Sequence, residues 1–191
     1  MTNRSVQKSI EDLLAMPADG LKEKLSPTLK ELEEYGIERL AAEHPLFLAR
    51  LLNKMKQIDA ARLFNEAPHL VNPWTDFFWQ SVHRQAASSK EMQTILDHVE
   101  RTCTVNVEAS DSPFQSHFIV RKGDLTGGAG LVHFKDEDFR FMGPTRTLID
   151  LLTGDLPLGF SNLNLQTAGH SGWVRRILPV IRGINKILKE P

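Results

Sequence analysis

Apolar residues recur every three to four positions through the first hundred residues and then alternate, so the chain passes from helical to strand texture near Arg101. Leu29, Leu32, Ile37, Leu40 and Ala41 mark the buried face of one helix, and Ser26 with Pro27 predicts its start, serine capping and proline at the first helical position. Phe47, Leu48, Leu51, Leu52, Met55 and Ile58 repeat the period from about Pro45. Asn72 and Pro73 predict a third start before Trp74, Phe77, Phe78 and Val82. Ser88 and Glu91 have the spacing of a capping box, which opens a helix turning Met92, Ile95, Leu96 and Val99 inward.

Beyond Thr102 the period drops to two. Cys103, Val105 and Val107 alternate with Thr104, Asn106 and Glu108, a half-buried strand. Asp111 to Pro113 predicts a turn, Phe118 and Val120 share a face of the next strand, and Gly123 with Asp124 predicts another turn. Leu131 to Phe134 and Phe139 to Met142 predict a hairpin with Asp136, Glu137 and Asp138 at a solvated tip. A short helix from Pro144 or Thr145 turns Leu148, Ile149, Leu151 and Leu152 inward until Gly154, and a strand follows around Phe160, Leu163 and Leu165. The expected fold is α+β: a helical region over 1–101, then a small, mostly antiparallel sheet covered by helices over 102–191.

Composition narrows the class. With 191 residues, 41% hydrophobic and 25% charged, the chain is ordinary globular material. A net charge of −1 gives no global attraction to nucleic acid. One cysteine, Cys103, excludes an intrachain disulfide and a cysteine-based zinc cluster. The polar N-terminal stretch lacks the apolar run of a signal peptide, and no run reaches the length of a membrane span. The expected location is cytoplasmic, or peripheral to a membrane.

Catalytic patterns are missing. Gly127, Gly128 and Gly130 lack the GK[ST] of a phosphate loop and read as a turn or bulge. The acidic residues 136–138 lack the spread and the sharp glycine of a calcium loop. The seven histidines form neither HExxH nor an i, i+4 pair, and Cys103 with His98 or His117 lacks an activating setting. No metal or cofactor is expected, and no residue is singled out as catalytic.

The segment TLIDLLTGDLPLGFSNLNLQTAGHSGWVRRILPVI, with its helix, TGDL, strand, glycine turn and apolar helix, resembles the sterol-carrier-protein (nonspecific lipid-transfer) family, within about Cys103 to Leu188. The resemblance implies a sheet covered by helices around an apolar tunnel that binds acyl chains, sterols or isoprenoids without chemistry, as in accessory factors to membrane-associated biosynthesis. By type and position, the tunnel would be lined by Phe118, Val120, Leu131, Phe141, Leu148, Leu151, Leu152, Phe160, Leu163 and Leu165; a packed core is the other reading of the same residues.

The last twenty residues form a separate clue. Ile177, Val180, Ile181, Ile184, Ile187 and Leu188 fall on one helical face, opposite Arg175, Arg182, Lys186 and Lys189. Such a helix, with Trp173 at its start, suits a bilayer interface through Trp173, Arg175, Arg176, Ile177, Ile181, Arg182, Ile184, Lys186, Leu188 and Lys189, or docks on the sheet. Pro179 predicts a bend or a later start, and Gly183 weakens the helix. Two functions remain: binding or transfer of a lipid or isoprenoid ligand, and a protein-interaction module using the N-terminal helices. A membrane surface, a protein partner and a second copy are the associated partner expectations.

Overall fold

A computed structural model describes residues 3–153 and 164–189 of the chain. Seven helices come first: α1 (Asn3–Ala15), α2 (Ala18–Tyr35), α3 (Ile37–Glu43), α4 (Phe47–Gln57), α5 (Ala60–Glu66), α6 (Val71–Ser88) and α7 (Lys90–Asp97), with one 3-10 turn at Pro68–Leu70. Strands β1 (Cys103–Ala109), β2 (Gln115–Arg121), β3 (Asp124–Ala129) and β4 (Phe139–Gly143) follow, then α8 (Thr145–Thr153), β5 (Gln166–Gly169) and α9 (Ser171–Lys189). The fold is α+β, with the described helices leading and a mostly antiparallel sheet behind them.

Burial overrides one local signal early in the chain. Instead of starting at Pro27, α2 starts at Ala18 and runs through it. The stripe Leu21, Leu25, Leu29 and Leu32 continues across the proline and is wholly buried. Pro27 and Glu23 lie on the exposed side, so the carbonyl that loses its helical donor faces water. Gly36, at φ 104°, then breaks the expected single face into α2 and α3. Pro73 sits in the first turn of α6, where the absent N–H is no loss. The cap of α7 is Ser89, whose hydroxyl accepts from Met92 N at 3.2 Å; the Ser88 hydroxyl donates back to Gln85 O and belongs to the end of α6.

The sheet order is β3-β2-β1-β4-β5. Antiparallel register pairs Cys103 with Val120 and Val105 with Phe118; across β2, Phe118 faces Gly127 and Val120 faces Leu125. These residues share the face that the helices cover. The expected hairpin does not form: β4 pairs parallel with β1, Val105 opposite Phe139, and Leu131 to Phe134 is not a strand. Residues 130–138 instead cross the other face. Asn106, fully buried and pointing to that side, donates to Val132 O (3.1 Å) and accepts from Val132 N (2.9 Å). Two of the three acidic residues, Glu137 and Asp138, are therefore anchored and do not form a free tip. Asp138 accepts from Thr104 N at 2.9 Å, and Glu137 takes Asn106 and Arg140. A buried amide needs these partners, and the alternative of an unpaired group costs about 1–3 kcal/mol, so the crossing is well determined.

One helix joins the two halves. Along α6, Asp76, Trp79 and His83 fall on one stripe facing the edge strand β3. Asp76 Oδ1 accepts from Ala129 N (2.8 Å) and His83 Nδ1 meets Leu125 O (2.8 Å). Between them the Trp79 indole lies on Gly127, where an added Cβ would come within 2.5 Å of the ring, and Nε1 donates to Ser116 Oγ at 2.6 Å. The glycine cluster thus serves close approach, and Gly130 (φ 76°) ends the strand. One buried cluster runs from Val6 through Trp79 and Phe118 to Leu188.

At the sheet's far end, Asp111 Oδ1 accepts from Thr145 N (2.8 Å) and holds the start of α8. The helix α9 is continuous through Pro179 and Gly183. Its face of Ile177, Val180, Ile181, Ile184 and Leu188 is buried against neighbouring helices, so the face expected at a membrane is turned inward here. Arg175, Arg176, Arg182 and Lys186 stay exposed, Lys186 paired with Glu91, and Trp173 is half-buried.

Gly127→Val forces a side chain into the Trp79 ring and the His117 carbonyl. The expected outcome is a stability loss of about 1–3 kcal/mol, read as a lower urea midpoint, with circular dichroism and tryptophan fluorescence shifting together. An unchanged midpoint would show that α6 does not bear on β3 in this way.

Candidate functional site

Helices α7 and α9 come close together at Gly183, where an added Cβ would stand 2.4 Å from Met92 Sδ. A larger residue there would wedge the helices apart. Toward the other end of that pairing they leave a cleft of about 410 Å³, closed below by the sheet. That volume lies within the range of small-molecule sites. Ile95 of α7, Val99 just beyond its end, Cys103 of β1, Val120 of β2, and Ile177 and Val180 of α9 form the apolar lining; Thr94, His98, Glu100, Arg101 and Arg176 are the exposed polar groups.

The cleft's shape follows from two local anchors. Val99 N donates to Leu96 O as α7 ends, which turns the chain toward β1. Gly123, at φ 72° in the β2–β3 turn, donates its N–H to the same carbonyl at 3.1 Å and pulls the hairpin against the helix end. His98 Nδ1 meets Thr94 O at 2.7 Å; a carbonyl only accepts, so Nδ1 carries the proton. The Arg176 guanidinium stands over the Trp173 ring at 5.2 Å.

Cys103 is no nucleophile. Burial in the cleft wall pushes its thiol up to about 12, the Asp138 carboxylate adds to the rise, and the Arg176 charge opposes it. With the thiol protonated at neutral pH, the residue contributes an apolar surface.

The residues expected to line a tunnel are divided by the structure. Val120 lies at the cleft. Phe118, packed on Trp79 with ring centroids 5.1 Å apart, and Phe141, against Phe139 at 5.0 Å, belong to the closed core with Leu148, Leu151 and Leu152. Leu131 sits in the segment crossing the opposite face, Leu165 is half-buried beside β5, and Phe160 and Leu163 lie outside the described residues. From the expected membrane set, Arg176 and Ile177 line the cleft, while Ile181, Ile184 and Leu188 are core and the Lys189 side chain is outside the description.

Several cleft residues carried no functional signal in sequence. Ile95, Val99 and Val180 look like core positions, because nothing local says that α7 and α9 face each other and diverge. Arg101, directly after Glu100 at the change of texture, has only its position to mark it.

Other candidate chemistry is engaged structurally. His117 Nδ1 meets Gly130 O (3.0 Å), and His170 Nδ1 accepts from Gly172 N (3.1 Å) at the start of α9. Among the described residues no cluster of three metal-binding side chains occurs, and no helix is long and apolar enough to cross a membrane. A wider groove of about 620 Å³ lies beside α3 and α6, and its charged residues Glu38 and Arg84 pair with each other at 2.7 Å.

Part of the chain is similar in fold to sterol carrier protein 2. A crystal structure of sterol carrier protein 2 matches with a TM-score of 0.47 at 14% identity, over 61% of this chain and 97% of that one. Sterol carrier protein 2 from Yarrowia lipolytica, in its apo form, matches with 0.42 at 14% identity, over 62% of this chain and 94% of that one. The sec-alkylsulfatase Pisa1 from Pseudomonas sp. matches 94% of this chain with 0.43 at 11% identity, and the match spans 31% of that longer protein. No protein-family model and no curated protein matches the sequence.

The raised Cys103 pKa gives a direct check on the cleft wall. A shift from 9.0 to about 12 leaves roughly a thousandfold less thiolate at pH 8. Labelling with a disulfide reagent at that pH is expected to be slow in native buffer and fast in urea. Equal rates would mean that the thiol is solvated and the wall open.

Proposed function

We propose that this protein binds a lipid or isoprenoid chain noncovalently in the cleft between α7 and α9, and carries it without chemistry. The observation behind this reading is the cleft itself, an apolar recess with its charged groups confined to the exposed rim. An elongated apolar ligand placed there gains about 25 cal/mol per Å² of surface removed from water. No activated nucleophile accompanies it: the one thiol in the wall is held protonated.

Handover at a membrane, as an accessory factor to membrane-associated biosynthesis would require, fits the exposed cations Arg175, Arg176 and Arg182 on α9 beside the cleft. The rival reading, an interaction module on the N-terminal helices, has less behind it. Large exposed apolar side chains among the described residues are Leu46 and Phe134, and only Leu46 belongs to the helical half.

Mass spectrometry of an organic extract from the natively purified protein tests the reading, together with displacement of a fluorescent fatty-chain probe. A stoichiometric lipid in the extract, and a roughly tenfold weaker probe affinity in Val99→Trp, which fills the recess, are the expected results. An empty extract with probe binding unchanged in Val99→Trp would dismiss the cleft as the site.

A further inference from the structure

The last helix is held unevenly along its length. Beyond Pro179, residues Val180, Ile181, Gly183, Ile184 and Leu188 of α9 are buried, and Gly183 sits hard against Met92. Before it, Gly172, Arg175 and Arg176 are exposed and Trp173 and Leu178 are half-buried. Among the described side chains of 172–178, Ile177 is the one that is buried.

Pro179 lies at the boundary between these two parts. It offers no N–H to the carbonyl of Arg175, so one of the helical bonds that would tie the first two turns to the rest is missing. On the upstream side β5 is paired with β4, and Gly169 lies so near the Asp138 carbonyl that an added Cβ would come within 2.6 Å of it. Residues 170–178 therefore run between two fixed points on a single buried anchor. The same residues wall the cleft: Arg176 and Ile177 line it, with Cys103 buried on the strand beside them.

Two helical turns are too short to persist in water on their own hydrogen bonds, because helix nucleation is unfavourable. An element with few buried contacts opens at a lower free energy than the core. We propose that residues 170–178 are a strap that unwinds locally between β5 and Pro179, while the rest of α9 stays docked, and that this opening is the way into the cleft. The proposal concerns the entrance, and it rests on the binding reading above only for what passes through it.

Cys103 reports the opening. A disulfide reagent reaches the thiol when the wall parts, and where closing is faster than reaction the labelling rate follows the population of the open form. Ile177→Val and Ile10→Val make the same small deletion, one in the strap and one in the buried face of α1. In native buffer, full-length Ile177→Val is expected to label roughly three- to tenfold faster than the parent. Ile10→Val should stay within about twofold of the parent although its urea midpoint falls. Pro179→Ala, which returns a donor to the Arg175 carbonyl, should label at least about fivefold more slowly.

Equal acceleration by the two valine variants would overturn the proposal, since the thiol would then be reached by unfolding of the whole chain. No acceleration in Ile177→Val would overturn it as well, because the strap would not govern access. Neither readout depends on a bound lipid, so failure of the strap and failure of the binding reading show in separate experiments.

Discussion

The seat of Trp79 on Gly127 is the contact on which the two textures of this chain depend. A sheet edge presents unpaired backbone groups, and a helix presents an apolar stripe; neither is stable in water alone. The helix α6 resolves both at once. Its indole covers the strand at Gly127, where no side chain stands in the way, and Asp76 and His83 on either side take up the outward amide of Ala129 and carbonyl of Leu125. The helical first half is thereby joined to the sheet by a geometry that admits no Cβ, and α7 is delivered to the place where it faces α9.

A second glycine acts on a smaller scale. Close approach at Gly183 and Met92 fixes one end of the α7–α9 pair, and the cleft opens beyond it. Hydrophobic burial then has two outcomes in one protein. Where helices meet the sheet squarely, at Phe118, Phe141 and Leu148, the interior is closed. Where two helices diverge above the strand ends, equally apolar residues line a recess. Side-chain chemistry is the same in both places, and the placement of the supporting elements separates core from site.

Much of the architecture was legible in the sequence because its signals are local. Alternation located β1 and β2, and the period of 3.6 located α4 and the inward face of α8. Local signals failed where burial outweighed them. Pro27 reads as a helix start, yet the four leucines of α2 carry the helix across it. The hairpin expected around residues 136–138 failed because Asn106, an unremarkable polar residue in the alternation, is buried and recruits the segment across the back of the sheet. That crossing makes β4 a parallel neighbour of β1.

By itself the sequence determined the α+β class, most of the stripes that become core and the two-sided character of the last helix, because periodicity follows from backbone geometry alone. Tertiary structure decided which stripes face each other. Whether Val120 lines a recess while Phe118, two residues away on the same face, is sealed under Trp79 depends on where α6 and α9 lie. It also decided that Arg101 and Arg176, seventy-five positions apart, share one rim. Such juxtapositions arise from long-range packing, and no local pattern encodes them.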